Sequence, residues 1–342
     1  MKFFIKILLL VFIAILLYIF IPFNTTKLIY IPKDDESIYY VSKLQNSFLN
    51  ILDYKILRYL GINSGWIRLD KDKISRYELY KIASNPKRQK VRRVVVYGGE
   101  SLYEISKKIA KQANLDSNKL LNLLNKLNPN KELLAKRYKL PYNLTEDVVA
   151  FYITFKSKDI FRKVAKSFYI DYPSKDFNRS LIVASIVEKE TFNKKEKPII
   201  AAVIYNRLKK DMKLQMDATL NYGKYSHTIV TPKMIRQDNS KFNTYKFKGL
   251  PPEPICAVTL SSLQAALNPD INDYLYFVKS KNGHKFSSDY KNHTKYVKDY
   301  KQNLAKIRAK KVALILKRGV KVNFPLLLPK VDTSFVLKKI KN

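Results

Sequence analysis

The sequence predicts an α+β protein in three parts: a membrane-spanning N-terminal helix, small strand-and-helix modules, and a mainly helical C-terminal unit. Three observations carry that expectation. Residues 7–23 are unbroken apolar sequence apart from the Tyr18 hydroxyl. A strand, turn and helix pattern occurs twice, 64 residues apart. Residues 181–191 are apolar nearly all round before they end in two glutamates, and a helix of that kind belongs inside a domain. The expected boundaries are 1–25 for the membrane helix, 26–90 and 91–172 for the modules, 173–310 for the helical unit and 311–342 for a C-terminal tail.

Composition agrees with a folded chain. Of 342 residues 46% are hydrophobic, and 24 Tyr with 18 Phe supply core material, which excludes disorder for most of the sequence. The formal net charge of +37 attracts polyanions: nucleic acid, anionic lipid head groups or anionic wall polymers. Abundant Lys with only 8 Gly fits an AT-rich coding bias equally well. Cys256 is the single cysteine, so no intramolecular disulfide forms. With His227, His284 and His293 it matches no zinc spacing, and neither a metal nor a cofactor is expected.

Taken in order, residues 7–23 come close to the ~20 needed to cross a bilayer, with Lys6 able to reach the interface. No small-residue cleavage site follows, which reads as an uncleaved signal anchor. Lys2 and Lys6 compete with Lys27 and Lys33 for orientation. A short N-terminal tail before a large body places that body outside the cytoplasm, on a single-pass anchor in the cytoplasmic (inner) membrane. Nucleic acid is then a poor partner for the charge, and wall polymer or membrane surface a better one.

Glu36-Ser37-Ile38-Tyr39-Tyr40-Val41-Ser42-Lys43 recurs as Glu100-Ser101-Leu102-Tyr103-Glu104-Ile105-Ser106-Lys107. Each copy follows a β-like run and opens a helix. In the second, Ser101 and Glu104 have the spacing of a capping box. The second copy resembles a LysM-like module, a unit associated with binding N-acetylglucosamine-containing glycans; a spacer or docking platform fits the same residues. The basic run of residues 86–93 reads as a solvated linker. Leu120, Leu123, Leu124 and Leu127 share a helix side, and Pro129 stops that helix. Residues 141–172 read as strand then helix, and 173–176 as a linker.

In the helix of residues 181–191, Val183, Ile186, Val187 and Glu190 lie on one face, while Glu188 is about 200° away. A carboxylate closing an apolar stripe is partly desolvated and keeps its proton, as a general acid must. A helix end where the stripe meets solvent gives the same sequence. Pro198 starts a second apolar helix, expected to pack on the first. A non-periodic region follows, holding Gln215, Asp217, His227, Asn243, Tyr245 and Glu253, and polar loops beside a buried helix pair are where sites are built. Residues 260–267 read as a helix, 274–278 as a strand, 281–284 as a turn, and about 288–317 as a Lys-rich helix. No G-x-S-x-G and no phosphate-cradling glycine loop occurs. A standard glycosidase needs a second carboxylate, for which Asp217, Glu196 and Glu253 are candidates.

Eight blocks in order resemble the catalytic domain of the YceG-like endolytic murein transglycosylases. They begin with Ala184-Ser185-Ile186-Val187-Glu188-Lys189-Glu190-Thr191, Tyr205-Asn206-Arg207-Leu208 and Leu214-Gln215-Met216-Asp217. They continue through Asn243-Thr244-Tyr245, Gly249-Leu250-Pro251-Pro252, Ser262-Leu263-Gln264-Ala265-Ala266, Tyr274-Leu275-Tyr276-Phe277-Val278 and Gly283-His284-Lys285-Phe286-Ser287 to His293. The resemblance implies a lysozyme-like helical domain cutting the β-1,4 bond between N-acetylmuramic acid and N-acetylglucosamine in peptidoglycan. The C6 hydroxyl closes on its own anomeric carbon, leaving a 1,6-anhydro end, so one glutamate serves as acid and then base and strand elongation ends. It implies Glu190 as that residue, with Glu188 the runner-up, and Glu196, Gln215, Asp217, Asn243 and Tyr245 as substrate-binding residues. Peptidoglycan strands, the membrane and wall synthases are the implied partners. A non-catalytic peptidoglycan-binding scaffold and a charge-driven polymer- or DNA-binding membrane protein are the competing readings. Glu253, the Ala257-Val258-Thr259 turn and Met216 depart from the family pattern.

Overall fold

The computed structural model describes residues 2–25, 28–34, 37–38, 41, 49–62, 64–85, 90–142 and 144–317. They form a mixed helix and sheet chain with four two-stranded antiparallel sheets. Helix α1 (Lys2–Phe20) is, among the described residues, the one helix long and apolar enough to cross a membrane, and its apolar side chains are exposed. The first repeat copy lies outside the described residues except Ser37, Ile38 and Val41, as do half of the basic run (86–89) and residues 318–342 of the C-terminal tail.

Beyond α1, β1 (Phe23–Asn24) pairs with β4 (Lys73–Ile74), and β2 (Leu28–Ile31) with β3 (Gly65–Arg68), flanked by α2 (Ile51–Tyr59) and α3 (Arg76–Ser84). Next, β5 (Val91–Val95) pairs with β6 (Arg137–Pro141), enclosing α4 (Leu102–Ala113) and α5 (Ser117–Leu127). The capping box read from the sequence is present: Ser101 accepts from the Glu104 N–H, and Glu104 accepts from the Ser101 N–H at 2.8 Å. The strand expected after Pro141 instead ends there, because residues 146–167 are all claimed by helix α6 (Glu146–Ser167). Helix α6 spans both cores. Phe151 and Phe155 pack into the module core, while Phe161 and Ala165 pack into the core of the helical unit.

The helical unit is built on α7 (Lys175–Glu190), which starts earlier than its apolar run because Ser174 caps it, accepting from the Phe177 N–H. Residues 181–187 are all buried. Helices α8 (Lys197–Lys209) and α10 (Leu260–Leu267) pack on it, and the short α9 (Pro232–Gln237) lies in the loop region. The β7–β8 hairpin (Tyr276–Ser280, Gly283–Ser287) and α11 (Tyr290–Lys317) close the described chain.

The module and the helical unit meet through residues 257–258. The Ala257 N–H donates to Glu100 O at 2.8 Å and the Gly99 N–H to Ala257 O at 3.0 Å. The Val258 N–H donates to Leu133 O at 2.9 Å and the Ala135 N–H to Val258 O at 2.7 Å. The turn that departs from the family pattern is therefore a strand-like strap between two module loops.

Candidate active site

Glu188 and Glu190 leave the end of α7 on different sides, and their surroundings differ in kind. Glu188 is buried, and its Oε2 accepts from Lys197 Nζ (3.2 Å), Thr259 N–H (3.0 Å), Thr259 Oγ1 (2.6 Å) and Ser262 Oγ (2.5 Å). A β-carbon at position 98 would sit 2.1 Å from Glu188 Oε1, so glycine alone fits there. Glu188 thus pins α7 to α8, to the N-terminus of α10 and to the module turn. Helical periodicity puts Glu190 on the apolar stripe and Glu188 on a different face. Glu188 is the more enclosed of the two, because a helix surrounded by packed elements has no outer face.

Glu190 opens onto a cavity of about 360 Å³, lined by Arg207, Leu214, Gln215, Met216, Asp217, Tyr245, Tyr276, Phe277, Tyr290 and His293. The residue is half-buried, since it faces the cavity, but its carboxyl is enveloped by protein. That desolvation, aided by the nearby Asp217 charge and opposed only by the Ala218 backbone N–H, pushes its pKa from the ordinary 4.5 up to about 7. Asp217 accepts from the Tyr245 hydroxyl at 2.7 Å. Burial, then that bond to Asp217, pushes the Tyr245 phenol upward, so it stays protonated as a donor.

Of the residues read from sequence, Glu190, Gln215, Asp217 and Tyr245 come together on this cavity; Glu196 and Asn243 do not line it. Asn243 is buried and closes the loop: its Nδ2 donates to Ile235 O and Asp238 O, and its Oδ1 accepts from the Tyr245 N–H. Glu196 accepts from Thr191 Oγ1 (2.9 Å) and the His284 N–H (2.9 Å), and pairs with His284 Nδ1 at 2.7 Å. Burial acts to raise the Glu196 pKa, but the His284 ring and backbone N–H and the Thr191 hydroxyl outweigh it and hold it low. Glu196 therefore ties the residue after Glu190 to the β7–β8 hairpin that walls the cavity. Glu253, the other candidate second carboxylate, lines a separate cavity of about 350 Å³ at the module joint with Ser101, Tyr103, Tyr222 and Phe242.

The sequence profile of the YceG-like family matches residues 30–299. The chain belongs to the YceG-like family. Two curated relatives are each named endolytic murein transglycosylase. The one from Bacillus subtilis is 45% identical over 105 residues, 30% of this chain and 29% of the relative. That from Streptococcus pneumoniae is 37% identical over 103 residues, 29% of this chain and 19% of the relative. The matched stretch thus spans less than a third of either relative. A crystal structure of a yceG-like protein from Listeria monocytogenes superposes with a TM-score of 0.52 at 24% identity. It covers 79% of this chain and 98% of that one, a likeness of fold.

In this YceG-like chain the cavity also recruits Arg207, Tyr276 and His293, which lie in the motif blocks without an assigned role, and Tyr290, which no block singles out. The available signal was Arg207: one charge inside a helix apolar nearly all round needs a reason to be there. Among the described residues no group of His, Cys, Asp and Glu could hold a metal ion.

Proposed function

We propose that this protein is a lytic transglycosylase that cuts MurNAc–GlcNAc β-1,4 bonds in peptidoglycan and leaves 1,6-anhydroMurNAc ends. The observation that carries the reading is Glu190: a carboxyl that holds its proton up to about pH 7 in an open cavity of about 360 Å³. Such a group gives its proton to the departing GlcNAc O4 as the glycosidic bond breaks. As carboxylate it then takes the proton of the muramoyl C6 hydroxyl, whose oxygen bonds to C1. Water is not consumed, and Glu190 ends protonated again. Asp217, held by Tyr245, acts by keeping the Glu190 proton in place. Gln215 and Tyr245 contact the glycan; Glu196 and Asn243 hold the walls.

The finer architecture follows the same reading. The strand–helix–helix–strand order of residues 91–141 and its packed helices support a LysM-like glycan-holding module within 91–172. Residues 173–310 form a lysozyme-like catalytic unit, 26–90 a first module and 311–342 a tail. Residues 1–25 anchor the chain as a single-pass protein of the cytoplasmic membrane, with the body outside the cytoplasm, near nascent strands and the synthases that make them. There it ends strand elongation, and the basic surface holds it near anionic lipid and wall polymer.

The test is digestion of purified sacculi, or of polymerised lipid-linked glycan, by the wild type and by Glu190→Gln, with end groups identified by mass. Anhydro ends from the wild type alone support the reading. Reducing ends would make Asp217 the second carboxylate of a hydrolase. Equal products from both enzymes would remove Glu190 from the chemistry, and no products from either would leave a peptidoglycan-binding scaffold.

A further inference from the structure

We infer that Arg207 is an anion subsite in the Glu190 cavity, taking a carboxylate of the peptide carried by the muramoyl unit; this rests on the glycan-cleaving reading above. Arg207 projects from α8 and is 8% exposed. Its Nε donates to Leu275 O at 2.6 Å, and its Nη1 to Leu214 O at 2.6 Å and Lys213 O at 3.3 Å. Three backbone carbonyls therefore fix the guanidinium plane, one of them from the cavity's own loop and one from the approach to β7.

No carboxylate among the described residues lies within ion-pair distance of it, although Glu190 and Asp217 line the same cavity. Lys197, the comparably buried cation at the other end of α8, has Glu188 at 3.2 Å. Buried charges are normally paired, because leaving one unpaired costs its desolvation. Nη2 makes none of the three bonds, and the residue opens onto the cavity, so the missing counter-charge has a place to bind.

The surroundings are those of a cation site. The Tyr276 ring centroid is 5.2 Å from the guanidinium carbon, and the His293 ring stacks on Tyr276 at 5.1 Å. Burial first, and the Arg207 charge second, hold the His293 ring below its ordinary pKa, so it stays neutral near pH 7 and adds no competing cation. Its Nδ1 is buried without a hydrogen-bond partner. On a peptidoglycan strand the anions next to the scissile bond are peptide carboxylates; a wall-polymer phosphate is the other source of the same charge.

The full chain in detergent would be assayed on strands with native peptides and on strands whose carboxylates have been amidated with carbodiimide and ammonia. Amidation is expected to raise the wild-type KM about tenfold with kcat within about twofold, the loss of one charge-assisted hydrogen bond. Arg207→Lys should raise KM on native strands and lose the response to amidation. An unchanged wild-type KM on amidated strands overturns the proposal. Competitive inhibition of the wild type by a phosphate polymer, with free peptide carboxylates ineffective, overturns it in favour of the other anion. If no anhydro ends form on any strand, the transglycosylase reading fails by itself. Co-sedimentation of Glu190→Gln, with and without Arg207→Lys, on native against amidated strands then still decides the subsite: a preference for native strands that Arg207→Lys abolishes supports it, and equal binding, or a preference that Arg207→Lys leaves unchanged, refutes it.

Discussion

Glu190→Gln should stabilise the protein at high pH while removing its activity. The folded carboxyl has its pKa at about 7 against an ordinary 4.5, so the folded state holds a proton that the unfolded chain releases. The contribution of this protonation is fully present below pH 4.5, falls between 4.5 and about 7, and is gone above that. At 1.36 kcal/mol per pH unit the gap is worth about 3 kcal/mol. Glutamine keeps an acceptor for the Ala218 N–H but carries no charge to desolvate. The variant should therefore match the wild type at pH 4 and exceed it by up to about 3 kcal/mol at pH 8. Denaturant midpoints of both proteins, measured at pH 4, 6 and 8 in one detergent, give the difference directly. A difference that does not change with pH would mean that Glu190 is not desolvated, and the argument for it as the acid would fall with it.

Three further outcomes follow from the same geometry. Asp217→Asn removes the second contributor to the raised Glu190 pKa, so the alkaline limb of the wild-type activity profile, near pH 7, should move to lower pH. Glu188→Ala strands Lys197 without its buried partner and should cost about 3–5 kcal/mol in unfolding experiments, with lost activity a consequence of lost fold. Gly283→Ala places a β-carbon 2.0 Å from Glu196 Oε1 at a backbone φ of +111°. It should lower stability by about 1–3 kcal/mol and reduce kcat by loosening the His284–Glu196 clamp.

What the sequence made legible was local. The apolar run of α1, the Ser101–Glu104 cap, the Pro198 helix start and the 260–267 helix all follow from short-range rules. The stripe leading to Glu190 fitted a desolvated acid and a wet helix end alike, and it is the cavity around its end that makes the carboxyl a desolvated one. The same 3.6-residue periodicity set Glu188 on another face without fixing its burial, because facing and burial coincide only for a helix with a solvent side. Polarity in loops also carried two meanings. Gln215, Asp217 and Tyr245 face open space, whereas Asn243 and Glu196 spend their polar atoms on backbone and His284, as buried polar groups must. Tyr276, Tyr290 and His293 reach the cavity only through the register of the β7–β8 hairpin and its packing on α11. No spacing in one segment encodes that.

The two glutamates at the end of α7 divide its work through the number of donors each meets. Four bonds converge on one oxygen of Glu188, and two of them come from Thr259, the residue directly after the strap that pairs with the module. Module, strap, α10 and α7 are therefore joined within three residues, on the side of the helix away from the cavity. Glu190, two residues on, meets a single backbone donor and an acidic neighbour. A carboxyl crowded by donors is an anchor, and one deprived of them is a proton store. Moving the module against the helical unit would load Glu188 first and leave the protonation of Glu190 to its own cavity. That separation keeps the donors of the module joint on Glu188 and away from the Glu190 carboxyl, whose pKa stays raised.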